Sequence, residues 1–309
     1  MPDAKVIQIQ HHWAHVASVL AEHGIEGPVI GIVCDGTGYG TDGAIWGCEC
    51  LIASVEKFER FGHLEYYQLP GADKASKEAI RPTLSLLKKA YSSKFNQKEL
   101  EWLFEKIGTT RHSCENRNPE IQKRIDSRLR GNDNIEKINI IVEQIDKKIN
   151  TVETSSLGRV FDFVAALLGL GNYNHFDAQL PMALEAVADT DIEEHYDFEL
   201  KGKPIQLDLD KMILQLIDDI RKDLSASVIS AKFHNTIAAA LLQMAKKARE
   251  STKINTVALS GGVFCNCYLT SRLIKLLKEN DFSVLFNRDV PSNDGGISIG
   301  QAAIAARLQ

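Results

Sequence analysis

The sequence predicts an α/β protein of two lobes, on three observations. Two apolar strands, Val29 to Cys34 and Ile254 to Leu259, each run into a glycine turn, Asp35-Gly36-Thr37-Gly38-Tyr39-Gly40 and Ser260-Gly261-Gly262. Two aspartates, Asp35 and Asp294, stand at or beyond strand ends, where ligands of such sheets gather. Two histidines, His11 and His15, lie one helical turn apart ahead of the first strand. Together they suit a nucleotide and a metal ion held between two α/β lobes, and the 309 residues are enough for two domains. The boundaries expected are 1–108 for the first lobe, 109–134 for a polar insertion and 135–309 for the second lobe.

Composition narrows the class. Apolar residues make up 44% and charged residues 25%, which disfavours wholesale disorder and a membrane protein. A net charge of -5 and a pI near 6.0 argue against a general nucleic-acid binder. The amino terminus has no signal pattern and no run reaches the ~18 apolar residues of a spanning helix, so a cytoplasmic protein is expected. Six cysteines in this length make no disulfide scaffold. The Cys-x-Cys pairs, Cys48 with Cys50 and Cys265 with Cys267, read as small, buried, reduced residues, because structural zinc sites use wider spacings.

In chain order, a helix running from His11 through Ala21 puts His11 and His15 on one face. Two imidazoles so placed can share a metal ion, or can serve as partly buried, hydrogen-bonded histidines near a helix start. The strand Val29 to Cys34 leads through the glycine turn, which extends to Gly43, into a second strand from Ala44 to Ile52. Its tip can bring backbone N–H groups close to phosphate, or can be a plain hairpin. Lys57 to Leu69 reads as a further strand pair, Leu69 to Lys74 as a turn, and Ser76 to Ala90 and Gln97 to Ile107 as helices. From Thr109 to Asn134 the chain is polar, of mixed sign and poor in core residues, similar to a translated bacterial interspersed repeat. Helical spacing returns from Ile135 to Asn150.

Thr154-Ser155-Ser156 offers an N-cap to an apolar helix that Gly169 stops. Asp162 inside it needs a partner, a ribose hydroxyl or an arginine, unless it lies on an exposed face. Met182 to Ala188, Asp210 to Leu224 and Ser230 to Arg249 read as helices. Ile254 to Leu259, the turn at Ser260 and a helix from Asn266 to Lys278 form the strand, glycine turn and helix that accept a nucleotide. Phe282 to Phe286 is the next strand, Pro291 to Gly296 a turn that carries Asp294, and Ile297 to Leu308 a final helix.

These motifs stand in the order of a known family. His-His-x-Ala-His at 11 to 15, Asp-Gly-Thr-Gly-Tyr-Gly at 35 to 40, Asp42-Gly43, Ile45-Trp46-Gly47, Leu69-Pro70-Gly71, Asp73-Lys74-Ala75, Thr154 to Gly169, Phe233-His234-Asn235-Thr236, Leu259 to Asn266 and Asn293 to Gln301 resemble the carboxyl-terminal domain of HypF proteins. These are carbamoyltransferases of nickel–iron hydrogenase maturation. The domain is similar to that of the tRNA threonylcarbamoyl-adenosine synthases and of antibiotic carbamoyltransferases, with an actin/hexokinase-like ATPase fold. The resemblance implies that His11, His15, Asp35 and Asp294 hold one iron or zinc ion. It places Gly36, Thr37, Gly38, Gly40 and Gly43 at phosphate, Ser260, Gly261, Gly262 and Asn266 at the adenosine, and Asp162 at the ribose. Asp35 and His12 are its candidate catalytic residues. The implied reaction passes a carbamoyl group from carbamoyl-adenylate, made from carbamoyl phosphate and ATP, to the carboxyl-terminal cysteine of HypE.

The chain also departs from that pattern. The acylphosphatase, zinc-finger and adenylating domains of HypF and the usual first phosphate hairpin are not in this sequence, so a truncated or split form is expected, with a separately encoded amino-terminal portion as a partner. Where the family reads Glu-Gly-Gln-Ala-Ala, this chain has Asp177-Ala178-Gln179-Leu180-Pro181. Two competing readings are a non-catalytic remnant that binds nucleotide or HypE, and an ATP-dependent small-molecule kinase of the same fold, which would leave the histidine pair and Asp294 without a task.

Overall fold

The structure is a computed structural model that describes residues 6–96, 98–99, 102 and 132–308. Most of the expected helix over 97–107 and of the polar insertion lies outside these residues. The chain forms two compact units, Met1–Tyr66 with Thr154–Gly158 and Leu184–Gln309, and Tyr67–Glu153 with Arg159–Ala183. The lobes expected at 1–108 and 135–309 are therefore not the units observed. The physical reason is strand pairing, which joins the two ends of the chain in one sheet.

In the first unit that sheet runs β6 (Glu199–Lys201), β7 (Ile205–Asp208), β3 (Phe58–Leu64), β2 (Ile45–Ala53), β1 (Val29–Tyr39), β8 (Thr256–Ser260) and β9 (Ser283–Phe286). β1 pairs antiparallel with β2, and parallel with β8 in the register Val33 to Ser260. β8 in turn pairs parallel with β9, Leu259 to Phe286. The carboxyl ends of β1, β8 and β9 thus lie at one edge, where parallel strands present their ligand-binding loops.

Helix α1 (His11–His23) covers one face of this sheet. Its Trp13, Val16, Ala17 and Leu20 pack with Val29 and Val33 of β1, so by alternation Ile30 and Ile32 point to the opposite face. Both isoleucines are fully buried, which explains why this strand reads as an unbroken apolar run. Gln10 caps the helix by accepting from Trp13 N–H at 2.8 Å, and Gly24 ends it in the left-handed region. The last helix packs so closely on α1 that a Cβ on Gly300 would stand 1.9 Å from the Ala14 carbonyl oxygen.

Several expected boundaries shift. β1 runs five residues beyond Cys34, with a bulge between Cys34 and Gly38, so most of the first glycine turn is strand. The segment read as a strand pair yields β3, which pairs with β2 and β7, and β4 (Tyr67–Pro70), which pairs with β5 (Thr151–Thr154). The helix expected over 76–90 is broken into α2 (Lys74–Lys77) and α3 (Ile80–Tyr91), and α4 begins at Asn132 (Asn132–Lys147), before the expected end of the insertion. In the second unit α3 buries Leu84 and Leu87, and α4 buries Ile138, Ile141 and Ile145, the spacing of one helical face. That unit also holds most of α5 (Leu157–Leu167), with Phe161 and Phe163 buried. The remaining helices are α6 (Gln179–Ala186), α7 (Asp210–Arg221), α8 (Ala226–Thr252), α9 (Cys267–Glu279) and α10 (Ile297–Ala305). Among the described residues no helix is long and apolar enough to cross a membrane.

Candidate functional site

The edge formed by the ends of β1, β8 and β9 carries a four-residue cluster. His11 and His15 project from the first turns of α1, Asp35 from the bulge of β1, and Asp294 from the loop after β9. One ligand atom of each lies within 4.8 Å of all the others. His15 Nε2 is 3.2 Å from Asp35 Oδ2 and 3.5 Å from Asp294 Oδ1, and His11 Nε2 is 3.5 and 3.6 Å from the same two oxygens. All four residues belong to the first unit.

The donor set fits a metal ion. Four N and O ligands at ~2.1 Å in a tetrahedron stand ~3.4 Å apart, in the range of the spacings seen here. Moreover, His15 is fully buried, yet its Nε2 makes no hydrogen bond although Asp35 is within reach. A buried ring nitrogen costs free energy unless it is matched, so an atom near two carboxylates but aligned on neither points to a common centre. Electrostatics draw the same groups together. Burial opposes a charge on His15, but the neighbouring carboxylates of Asp294 and Asp35 outweigh it and raise its pKa. Burial likewise opposes charge on Asp35, and His11 and His15 hold its carboxyl well below the usual carboxylate range.

The local chain explains why the bulge is glycine-rich. A Cβ on Gly38 would stand 2.4 Å from His12 Cε1 and 2.6 Å from His11 Cδ2, so the strand passes directly against the histidine rings. Gly40 is closed in the same way by Trp46 and the Ala44 carbonyl. At these two positions the absent Cβ makes room for packing. Thr37 is exposed and a Cβ on Gly43 would meet nothing within 4 Å, whereas the Gly36 N–H donates to Asp35 Oδ1 at 2.7 Å and a Cβ on Gly158 would stand 2.9 Å from Gly36 Cα. Thr154, Ser155 and Ser156, just ahead of α5, also tie to the strands: Thr154 Oγ1 donates to the Ile45 carbonyl at 2.9 Å and Ser156 Oγ to the Gly36 carbonyl at 2.5 Å.

His12 takes no part in the cluster. It is fully buried beside Trp46, and burial, then its histidine neighbours, keep its pKa well below the ordinary value. A neutral, enclosed ring is poorly placed for the catalytic role that the sequence suggested. The second glycine turn abuts the cluster, since a Cβ on Gly262 would lie 3.0 Å from Asp35 Oδ1. Gly261 has φ of 105° and a Cβ there would lie 2.3 Å from the Cys34 carbonyl oxygen. A valine at 261 thus strikes the backbone of β1. Ser260 is fully buried, its hydroxyl committed within the protein, and Asn266 caps α9 by accepting from Leu269 N–H at 2.8 Å.

Asp162, expected at a ribose, has the other partner that the sequence allowed. It is fully buried in the second unit, with Arg159 Nη1 at 3.0 Å and Asn174 Nδ2 at 2.9 Å. The cysteines divide: Cys34, Cys48 and Cys50 are buried, but Cys265, on the turn after β8, and Cys267, the first residue of α9, are exposed. In a second acidic group, Glu65, Asp208 and Asp210, Lys201 Nζ already lies 2.8 Å from Glu65 and 2.7 Å from Asp208.

Residues 31–301 match a family described as carbamoyltransferase, Kae1-like domain, second subdomain. The histidine pair precedes that segment. A relative from Synechocystis sp., carbamoyltransferase HypF, is 37% identical over 97% of this chain and 37% of its own length. A carbamoyltransferase HypF homolog of Cupriavidus necator is 31% identical over 97% of this chain and 71% of its own length. Among solved structures, a full-length HypF in its phosphate- and nucleotide-bound form is similar with a TM-score of 0.84 and 39% identity, over 99% of this chain and 36% of that one. The chain thus spans little more than a third of the first relatives that it matches.

Proposed function

We propose that this chain, which belongs to the HypF family of Kae1-like carbamoyltransferase domains, is the module that carries out carbamoyl transfer. The acceptor in this reading is the carboxyl-terminal cysteine of HypE and the donor is carbamoyl-adenylate. The observation that carries it is the convergence of His11, His15, Asp35 and Asp294 beside the Ser260-Gly261-Gly262 turn. It also disfavours the kinase alternative, which gives these four residues no task.

His11, His15, Asp35 and Asp294 would hold one iron or zinc ion. Bound there, the ion would supply Lewis acidity to an oxygen of the carbamoyl or phosphate group. The chain's own contribution is position. Thr37 is exposed at the bulge, where backbone can meet phosphate. In the transfer the thiolate sulfur bonds to the carbamoyl carbon, the bond from that carbon to the phosphate oxygen breaks, AMP leaves and the thiol proton goes to solvent or a base. A separately encoded amino-terminal portion is a further partner on this reading.

The test is mass spectrometry of the HypE carboxyl-terminal peptide after incubation with the chain and supplied carbamoyl-adenylate, with and without that portion. The expected result is a carbamoyl adduct with the wild type, and at least tenfold less with His15→Ala. Equal adduct with His15→Ala refutes the site. No adduct under either condition, with the proteins folded and the metal bound, favours a non-catalytic binding role.

A further inference from the structure

Helix α1 carries more of the site than its two histidines. His11, His15, Ser18 and Glu22 follow one another at spacings of four, three and four, which is one face of a helix. Glu22 lies three turns from His11, and its carboxylate reaches the loop that follows β9. Oε1 accepts from the backbone N–H groups of Arg288 at 2.8 Å and Asp289 at 2.9 Å, and Oε2 accepts from Asn287 Nδ2 at 3.1 Å. That loop leads directly to Asp294.

The hydrogen bonds around Asn287 have only one consistent direction. Its amide nitrogen faces Glu22, a carboxylate that can only accept, and Ser18 Oγ at 3.4 Å, whose own proton goes to the His15 carbonyl at 2.8 Å. Asn287 Oδ1 therefore faces Ser260 Oγ, 3.0 Å away. Ser260 has a single proton, and both Asn287 Oδ1 and the Ser292 carbonyl at 3.3 Å are acceptors for it. Towards His15 Nδ1, 3.3 Å away, Ser260 thus has only a lone pair to offer. His15 Nδ1 is thus the ring's donor to Ser260, and with a cation seated between Asp35 and Asp294 its Nε2 is the bare atom that faces it.

We infer that Glu22 is a positioning residue, which acts through Asn287 and Ser260 to hold the His15 ring by its Nδ1–H and through the backbone at 288 and 289 to seat the loop of Asp294. Two ligands from opposite ends of the chain are thereby governed by one carboxylate. The inference rests on the metal reading proposed above, and it concerns the partners behind the ligands, which orient a ring and fix its bare nitrogen.

Two variants separate the parts of the relay. Glu22→Ala removes both functions. Glu22→Gln keeps an oxygen for the two backbone N–H groups but turns an NH2 towards Asn287, which must rotate its own amide and present NH2 to Ser260. The readouts are zinc affinity by chelator competition, hydrogen exchange at Arg288 and Asp289 in the metal-free chain, and the chemical shift of the His15 Nδ1 proton by NMR on the zinc-bound chain. Expected are a downfield, hydrogen-bonded Nδ1–H in the wild type that moves upfield in Glu22→Gln, zinc affinity about 10–100-fold weaker in both variants, and slow exchange retained only in Glu22→Gln. Zinc affinity in Glu22→Gln within twofold of the wild type, or the same Nδ1–H shift in both proteins, overturns the relay. A wild type that binds zinc no better than His15→Ala overturns instead the metal reading beneath it, a result that hydrogen exchange on the metal-free chain tells apart.

Discussion

His234 shows at the level of single atoms how the turn at the second glycine motif is held. Fully buried on α8, it donates from Nδ1 to the Ser230 carbonyl at 2.7 Å, and its Nε2 accepts from Asn266 Nδ2 at 2.9 Å. Burial lowers its pKa from the ordinary 6.5 to about 4. A histidine whose folded pKa is depressed binds fewer protons folded than unfolded, so its contribution is complete above pH 6.5 and is lost as the pH falls towards 4. At 1.36 kcal/mol per unit that loss is about 3 kcal/mol. Urea unfolding at pH 7 and pH 4 should therefore show a steeper loss in the wild type than in His234→Gln, and parallel losses would show that the ring is not held neutral. The sequence displayed this histidine only as one member of Phe-His-Asn-Thr. His11, His15, Asp35 and Asp294 were legible because ligand residues at helical spacing and at strand ends form a recognisable pattern. Glu22 follows the same helical spacing, but its significance depends on Asn287, 265 residues away, and no local pattern reveals such a partner.

Elements were read best where a cap residue marks the start, as in α1 and α9. β1 ran longer than expected, since its bulge lets a glycine-rich stretch continue the pairing with β2 to Tyr39. β6 and β7 were missed, because three- and four-residue strands are too short to show alternation. α6 is the instructive case. Asp177-Ala178-Gln179 stands where the family reads Glu-Gly-Gln, yet the helix forms from Gln179, whose Oε1 accepts from His175 N–H at 2.8 Å. Ala178 takes φ of 59° to allow it. A left-handed alanine costs ~1 kcal/mol or more, of which glycine's extra freedom in the unfolded chain returns a part. Ala178→Gly should raise stability by about 0.5–1 kcal/mol, which scanning calorimetry would register as a rise of about 1–3 °C in Tm. A lower Tm would show that the alanine methyl contributes more by packing than the backbone loses.

At the scale of the whole chain, the sheet order places residues far apart in sequence on neighbouring strands. β1 hydrogen-bonds along Ile30 to Val33 with Val257 to Ser260 of β8, and α1 packs against α10 where Gly300 meets Ala14. The lobes that the sequence suggested, 1–108 and 135–309, each therefore lack part of one core. Cut at the insertion, the second piece would expose the β1-facing edge of β8 and the apolar side of α10, whose Ile304 is fully buried in the intact chain. The first piece would lose the cover of α10 over α1 and, with it, Asp294 beside His11 and His15. Neither piece should then show a cooperative thermal transition alone, because burial of α1 and β1 is shared between them. Co-expressed, they should associate and recover both the transition and the zinc affinity of the intact chain, since the hydrogen bonds and apolar contacts between them do not need a covalent link. A cooperative transition in residues 135–309 alone would mean that the second lobe is a folding unit by itself, and the discontinuous division described here would fail. Association that restores the transition but not zinc binding would show that the fold survives the cut while the seating of Asp294 against the histidine helix does not.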